Sequence, residues 1–134
     1  MATRSQVREA VVSLLYAYES GNEAMLKSAP DFFTQKKIKN AQQRFALDLL
    51  EGTLEHLPSL DNALTPLLKD WDLARIGSME RAILRLGAYE ILHTPTNPVV
   101  VINEAIELSK NYGEDNAPKL INAILDALCK QKSH

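Results

Sequence analysis

Arg4 and Arg8 stand four residues apart, about one helical turn, with Ser5 and Gln6 beside them and Tyr16 further along the same segment. Guanidinium groups suit phosphates, hydroxyl and amide groups suit base edges, and a phenol ring can stack on a base. Flexible single-stranded RNA would use this mixture, although Tyr16 taken alone reads more readily as a packing residue. Lys36, Lys37, Lys39 and Arg44 enlarge the cationic character, but a solvated charge run has the same composition. A second candidate is YGEDNAPK, residues 112–119, where Asn116 and Lys119 can donate to RNA or simply cap and decorate a following helix. Pro118 there supports a helix start more directly than a phosphate cradle.

Other chemistries are poorly served. Cys129 is the sole cysteine, and His56, His93 and His134 are scattered, so neither a disulfide framework nor a zinc cluster is legible. No glycine-rich phosphate loop, HExxH or CxxC pattern occurs, and no cofactor or metal site is expected. Cys129 falls in an apolar helical stretch as a small packing residue; a hydrolase would need a histidine brought beside it. Glu104 and Glu107, like Glu80 with Arg81 and Arg85, read as charged helix faces rather than acid/base pairs. His56 and His93 read as helix-end or surface residues, and enzyme chemistry is not expected.

The elements that must position these groups are helical. Val7, Val11, Leu14 and Tyr18 form one stripe, with Ala10 and Leu15 widening it and Val12 and Tyr16 farther round. Gly21 and Asn22 stop that helix, and a short helix is predicted over Met25–Phe33. Phe45, Ala46, Leu49, Leu50, Thr53 and Leu57 mark the next, bounded by Pro58. Leu60, Ala63, Leu64, Leu67 and Leu68 predict another, bent or split at Pro66. A turn at Leu73 and Ile76 precedes a long amphipathic helix through Ile83, Leu86 and Tyr89, in which Gly87 suggests a close helix crossing. After TPTNP, Val101, Ala105, Leu108 and Tyr112 form a stripe closed by Gly113; Ile121, Ile124, Leu125 and Leu128 form the last. No alternating strand pattern competes, and an all-α bundle follows.

The 134 residues, 46% apolar and 24% charged, are enough for one core and predict one domain, 1–134. No membrane span or secretory signal is legible, and the cysteine usage fits a reducing cytoplasm. The net charge of -2 conceals an asymmetry: residues 1–44 hold seven Lys/Arg against four Asp/Glu, the remainder eight against thirteen.

REAVVSLLYAYE, GSMERAILRLGAYEI and VINEAIELSKNYG followed by APKLINAILD resemble the bacterial NusB transcription antitermination family across nearly the whole chain. The resemblance implies seven helices, three then four, fused as one domain. It implies a stand-alone adaptor, since the chain leaves no room for the methyltransferase domain that follows some NusB modules. It also implies binding to single-stranded boxA ribosomal RNA together with NusE, a small-subunit ribosomal protein, alongside other Nus factors and RNA polymerase. Arg4, Arg8 and Tyr16 match the family's RNA-facing first helix; Ser5 and Gln6 depart from its more arginine-rich pattern, and Lys36, Lys37 and Lys39 are the candidate compensation. Asn116 and Lys119 match an RNA-approaching loop, with Asn116 where some relatives carry an acid. Glu80, Arg81 and Arg85 are implied near the NusE surface, the alternative being pairing within the protein, Arg85 internally. The competing function is a helical protein-interaction scaffold without specific RNA binding.

Overall fold

The computed structural model describes residues 2–69, 72–112 and 114–132. They form eight α-helices: α1 (Arg4–Glu19), α2 (Glu23–Lys27), α3 (Ala29–Gln35), α4 (Asn40–Glu55), α5 (Leu57–Leu64), α6 (Ser78–His93), α7 (Pro98–Tyr112) and α8 (Ala117–Lys132), with a 3₁₀ turn at Thr65–Leu68. No strand occurs among the described residues, and no helix there is long and apolar enough to cross a membrane. The chain divides into two compact units, Met1–Glu55 and His56–His134.

In the first unit, α1 packs against α4 and α2, and α3 against α4. Thr3 and Gln6 form a reciprocal capping box that satisfies two backbone N–H groups at the start of α1. The single short helix predicted over Met25–Phe33 is two, because Pro30 lacks an N–H and fits only the first turn of a new helix, leaving Ser28 as the joint. With α2 and α3 taken together, the implied three-plus-four helix count is recovered. Val7, Val11, Leu14, Phe33, Ile38, Ala46 and Leu49 are interior. The buried arc of α1 is wider than its predicted stripe and includes Val12, as suits a helix covered on more than one side. Tyr18, placed on the stripe, is instead 45% exposed in the last turn before the chain leaves through Gly21 at φ 79°.

In the second unit, α6 is the centre, packed by α5, α7 and α8 and apolar around most of its circumference. Gly87 permits the close crossing with α8: a Cβ there would lie 2.8 Å from Leu125 Cδ1. Pro66 ends α5 at Leu64 and leaves the 3₁₀ turn beyond it. The turn expected at Leu73 and Ile76 is present over residues 73–75, closed by bonds from Arg75 N and Ile76 N to the Asp72 carbonyl at 2.8 and 3.2 Å. On α7 the stripe Val101, Ala105 and Leu108 is buried, but its last member Tyr112 is 45% exposed at the helix end. The predicted stop at Gly113 lies outside the described residues.

Candidate nucleic-acid interface

The two arginines of α1 part company. Arg4 is exposed and lays its guanidinium 3.7 Å from the centroid of Phe45 on α4, an arrangement worth about 0.5–1 kcal/mol at the surface. Arg8 is only 4% exposed, 5.9 Å from the same ring. Helical spacing puts both on one side of α1, but that side turns inward within a turn, so Arg8 is an interior residue. Gln6 spends its amide oxygen on Thr3 N at 2.8 Å. Ser5 is exposed, and Tyr16, 44% exposed, offers its ring to solvent.

The turn between α3 and α4 is tightly built. Lys37 and Asn40 adopt left-handed φ of 63° and 55°, each costing about 1–2 kcal/mol for a residue with a Cβ. Fully buried Ile38 anchors the turn, and the Gln43 amide reaches Ile38 O and Thr34 Oγ1 at 3.0 Å each. Lys36, Lys37 and Lys39 are consequently held on the outside. Arg44 is spent on an exposed ion pair with Asp48 at 3.3 Å. A polar groove of about 210 Å³ separates the turn from α1, lined by Gln6, Glu9, Ser13, Lys36 and Ile38.

In the second unit, Asn116 and Lys119 sit on the rim of a cleft of about 470 Å³, together with Arg75 and over Ile76, Ala117 and Leu120. Glu80 and Glu114 also line it, so the cleft combines two cations and an amide with two acidic residues around an apolar floor. Cations suit phosphate, and polar groups over a flat floor suit a base. Arg75 escaped the sequence reading. It lies on a turn with no periodic pattern, and only folding brings that turn beside the start of α8.

Glu80, Arg81 and Arg85, expected on a charged surface, are largely inside. Glu80, 5% exposed, accepts a hydrogen bond from Glu114 N at 2.8 Å, tying the first turn of α6 to the loop that carries Asn116. Gly77 is required beside it, since a Cβ there would stand 2.0 Å from Glu80 Oε2. Arg81, 8% exposed, donates through Nη1 to the carbonyls of Leu73 and Ile76 at 2.9 and 3.1 Å, holding the turn that bears Arg75. Arg85 makes a two-pronged pair with Asp61 at 2.9 and 2.8 Å, the internal pairing that stood as its alternative. Glu80 lines the cleft, Arg81 braces the turn at its edge, and Arg85 ties α6 to α5.

Cys129 is half-buried, and no cluster of three or more His, Cys, Asp or Glu side chains suited to a metal occurs among the described residues. His56 and His93 lie tilted with ring centroids 4.2 Å apart, and Tyr89 stacks on His93 at 5.5 Å. Burial, then His56 and then Lys132, hold the His93 imidazole below its ordinary 6.5.

Residues 5–130 match the model of the NusB family. The chain belongs to the NusB family of transcription antitermination proteins. It is 59% identical over 131 residues to a NusB of Helicobacter pylori (strain G27), covering 98% of this chain and 95% of that one. The Wolinella succinogenes NusB is 56% identical over 128 residues, covering 96% and 95%. Among solved structures, T. maritima NusB superposes with a TM-score of 0.84 at 30% identity, covering 98% of this chain and 94% of that one. A structure of the antitermination factors NusB and NusE in complex with double-stranded RNA aligns with a TM-score of 0.81 at 26% identity, covering 96% of each chain.

Proposed function

We propose that this NusB family member binds the single-stranded boxA element of nascent ribosomal RNA together with NusE, and that the pair joins other Nus factors on RNA polymerase in the cytoplasm. The observation that carries the reading is the cleft where Arg75, Asn116 and Lys119 stand with Glu80 and Glu114 around an apolar floor. The solved complex of NusB and NusE with double-stranded RNA supports the coarser part of it, association with NusE and RNA. Arg4, Ser5, Tyr16, Lys36, Lys37, Asn116 and Lys119 are the proposed direct RNA contacts. Gln6 and Arg8 act through α1, one by capping it and the other from its buried side. Glu80, Arg81 and Arg85, which the resemblance implied near the NusE surface, act as supports that hold α6 and its flanking turns rather than as direct contacts. Both units, residues 1–134, act as one adaptor, assembling partners rather than making or breaking bonds. Two contacts on one ligand strengthen each other because the second becomes intramolecular.

Titration of fluorescent boxA RNA at fixed salt, with and without NusE, tests the proposal. Saturable binding that tightens with NusE and exceeds that of composition-matched RNA is the expected result. Binding to NusE with no RNA enhancement identifies a protein-interaction scaffold instead.

A further inference from the structure

The first helix of this chain is poor in accessible positive charge. Beyond Arg4, its exposed or half-exposed residues are Ser5, Gln6, Glu9, Ser13, Tyr16, Tyr18 and Glu19, and Arg8 is interior. Cationic character also does not belong to the first unit as a whole: residues 1–55 hold seven Lys/Arg and seven Asp/Glu, because Asp48, Glu51 and Glu55 on α4 offset the excess before residue 45. What remains is local. Lys36, Lys37 and Lys39 place three exposed ammonium groups within four residues, and none is in an ion pair among the described residues.

Their setting is not that of a loose charge run. The left-handed backbone at Lys37 sends Ile38 inward and keeps lysines on both sides of it outside. Lys37 N donates to Thr34 O at 3.0 Å and Ile38 N to Phe33 O at 2.8 Å, while Gln43 on α4 braces the turn. Lys36 Nζ lies 5.7 Å from the Phe32 ring, at the border of the groove that α1 forms with the turn. Gln6, Glu9 and Ser13 give that groove polar walls and Lys36 gives it a cationic edge, with Lys37 and Lys39 exposed on the same turn.

We propose that the α3–α4 turn, through Lys36, Lys37 and Lys39, is the principal phosphate-binding element of the first unit, in place of α1, and that the RNA backbone runs along the groove beside it. This rests on the RNA-binding reading above and assigns its electrostatic part. Ammonium groups on flexible stems neutralise phosphate without reading bases, so the turn supplies affinity and salt dependence, while sequence preference comes from elsewhere.

The test measures boxA RNA affinity across a salt series, in the presence of NusE, for the full chain and three variants. Each phosphate neutralised on a single strand contributes about 0.7 to the slope of log K against log salt, so Lys36→Gln/Lys37→Gln/Lys39→Gln should flatten the slope by roughly 2. Its preference for boxA over scrambled RNA should persist, and circular dichroism should show retained helix. Arg4→Gln should flatten the slope by less than about 1. Lys110→Gln/Lys130→Gln, removing two exposed cations from α7 and α8, should leave the slope nearly unchanged. A triple variant with the parental slope overturns the assignment, as does an Arg4→Gln effect larger than that of the triple, or an equal loss in the α7/α8 control. If the parent chain itself shows no boxA binding, the RNA reading fails, a result distinct from parental binding with an unaltered triple.

Discussion

Glu80 shows how a charged residue can brace a binding surface while almost wholly buried. Its carboxylate is inside the second unit and holds Glu114 N, two residues before Asn116. Glu80→Ala leaves that N–H without its partner and opens space beside Gly77, for a loss of about 1–3 kcal/mol of stability. RNA affinity should fall as the cleft loosens. The salt slope should stay as it is, because no phosphate contact is removed; thermal unfolding and the salt titration read the two effects separately. Arg8 teaches the same lesson in the first unit: helical spacing gave it the same side as Arg4, yet only Arg4 is exposed. One-dimensional periodicity locates a face to within a turn, and a boundary between buried and exposed positions can fall inside that turn.

Among the elements, the long helices were legible because their apolar residues recur with a period that only a helix satisfies. The split at Pro66 and the close crossing at Gly87 were legible too, since each follows from the sterics of one residue type. For Gly87 the consequence can be measured. Gly87→Ala gains about 1 kcal/mol of helix propensity but drives a methyl group into Leu125, which is fully buried, at a cost of about 1–3 kcal/mol. Net destabilisation of about 1 kcal/mol is expected in denaturant unfolding, and a Gly87→Ala protein more stable than the parent would contradict the packing account. The short α2 and α3 were less legible. A helix of five residues and one of seven are set by caps, proline and neighbouring helices more than by propensity. The α3–α4 turn was legible only as a basic run; its left-handed lysine has no sequence signature.

Across the whole chain, the charge asymmetry changes meaning once the structural boundary at Glu55 replaces a cut in the sequence. The first unit is neutral by formal charge and the second carries the net -2, so neither unit as a whole is cationic and positive charge is only local, as at the lysine turn. Fold also gathers His56, Tyr89 and His93 with Lys132 from distant parts of the second unit, and Lys132 Nζ donates to the Ile91 carbonyl. Because burial, His56 and Lys132 lower the His93 pKa, the unfolded chain takes up its proton first as pH falls below 6.5. The associated stability is complete above that pH and is lost between 6.5 and the lower folded-state value. Thermal unfolding temperature should therefore decline on mild acidification, and His93→Gln should make that decline shallower. An unchanged pH profile in the variant would show that the ring stack carries no linkage.

The sequence by itself determined the helices, the family and the residue types able to meet RNA, because periodicity, proline and glycine sterics and side-chain chemistry are local properties. Tertiary structure decided which of those side chains are available. Burial turned Arg8, Glu80 and Arg81 into internal supports, an Asp61 partner claimed Arg85, and the turn after Asp72 delivered Arg75 to a cleft with Asn116 and Lys119. Availability depends on which residues far along the chain come to lie against a given side chain, and no local pattern encodes that.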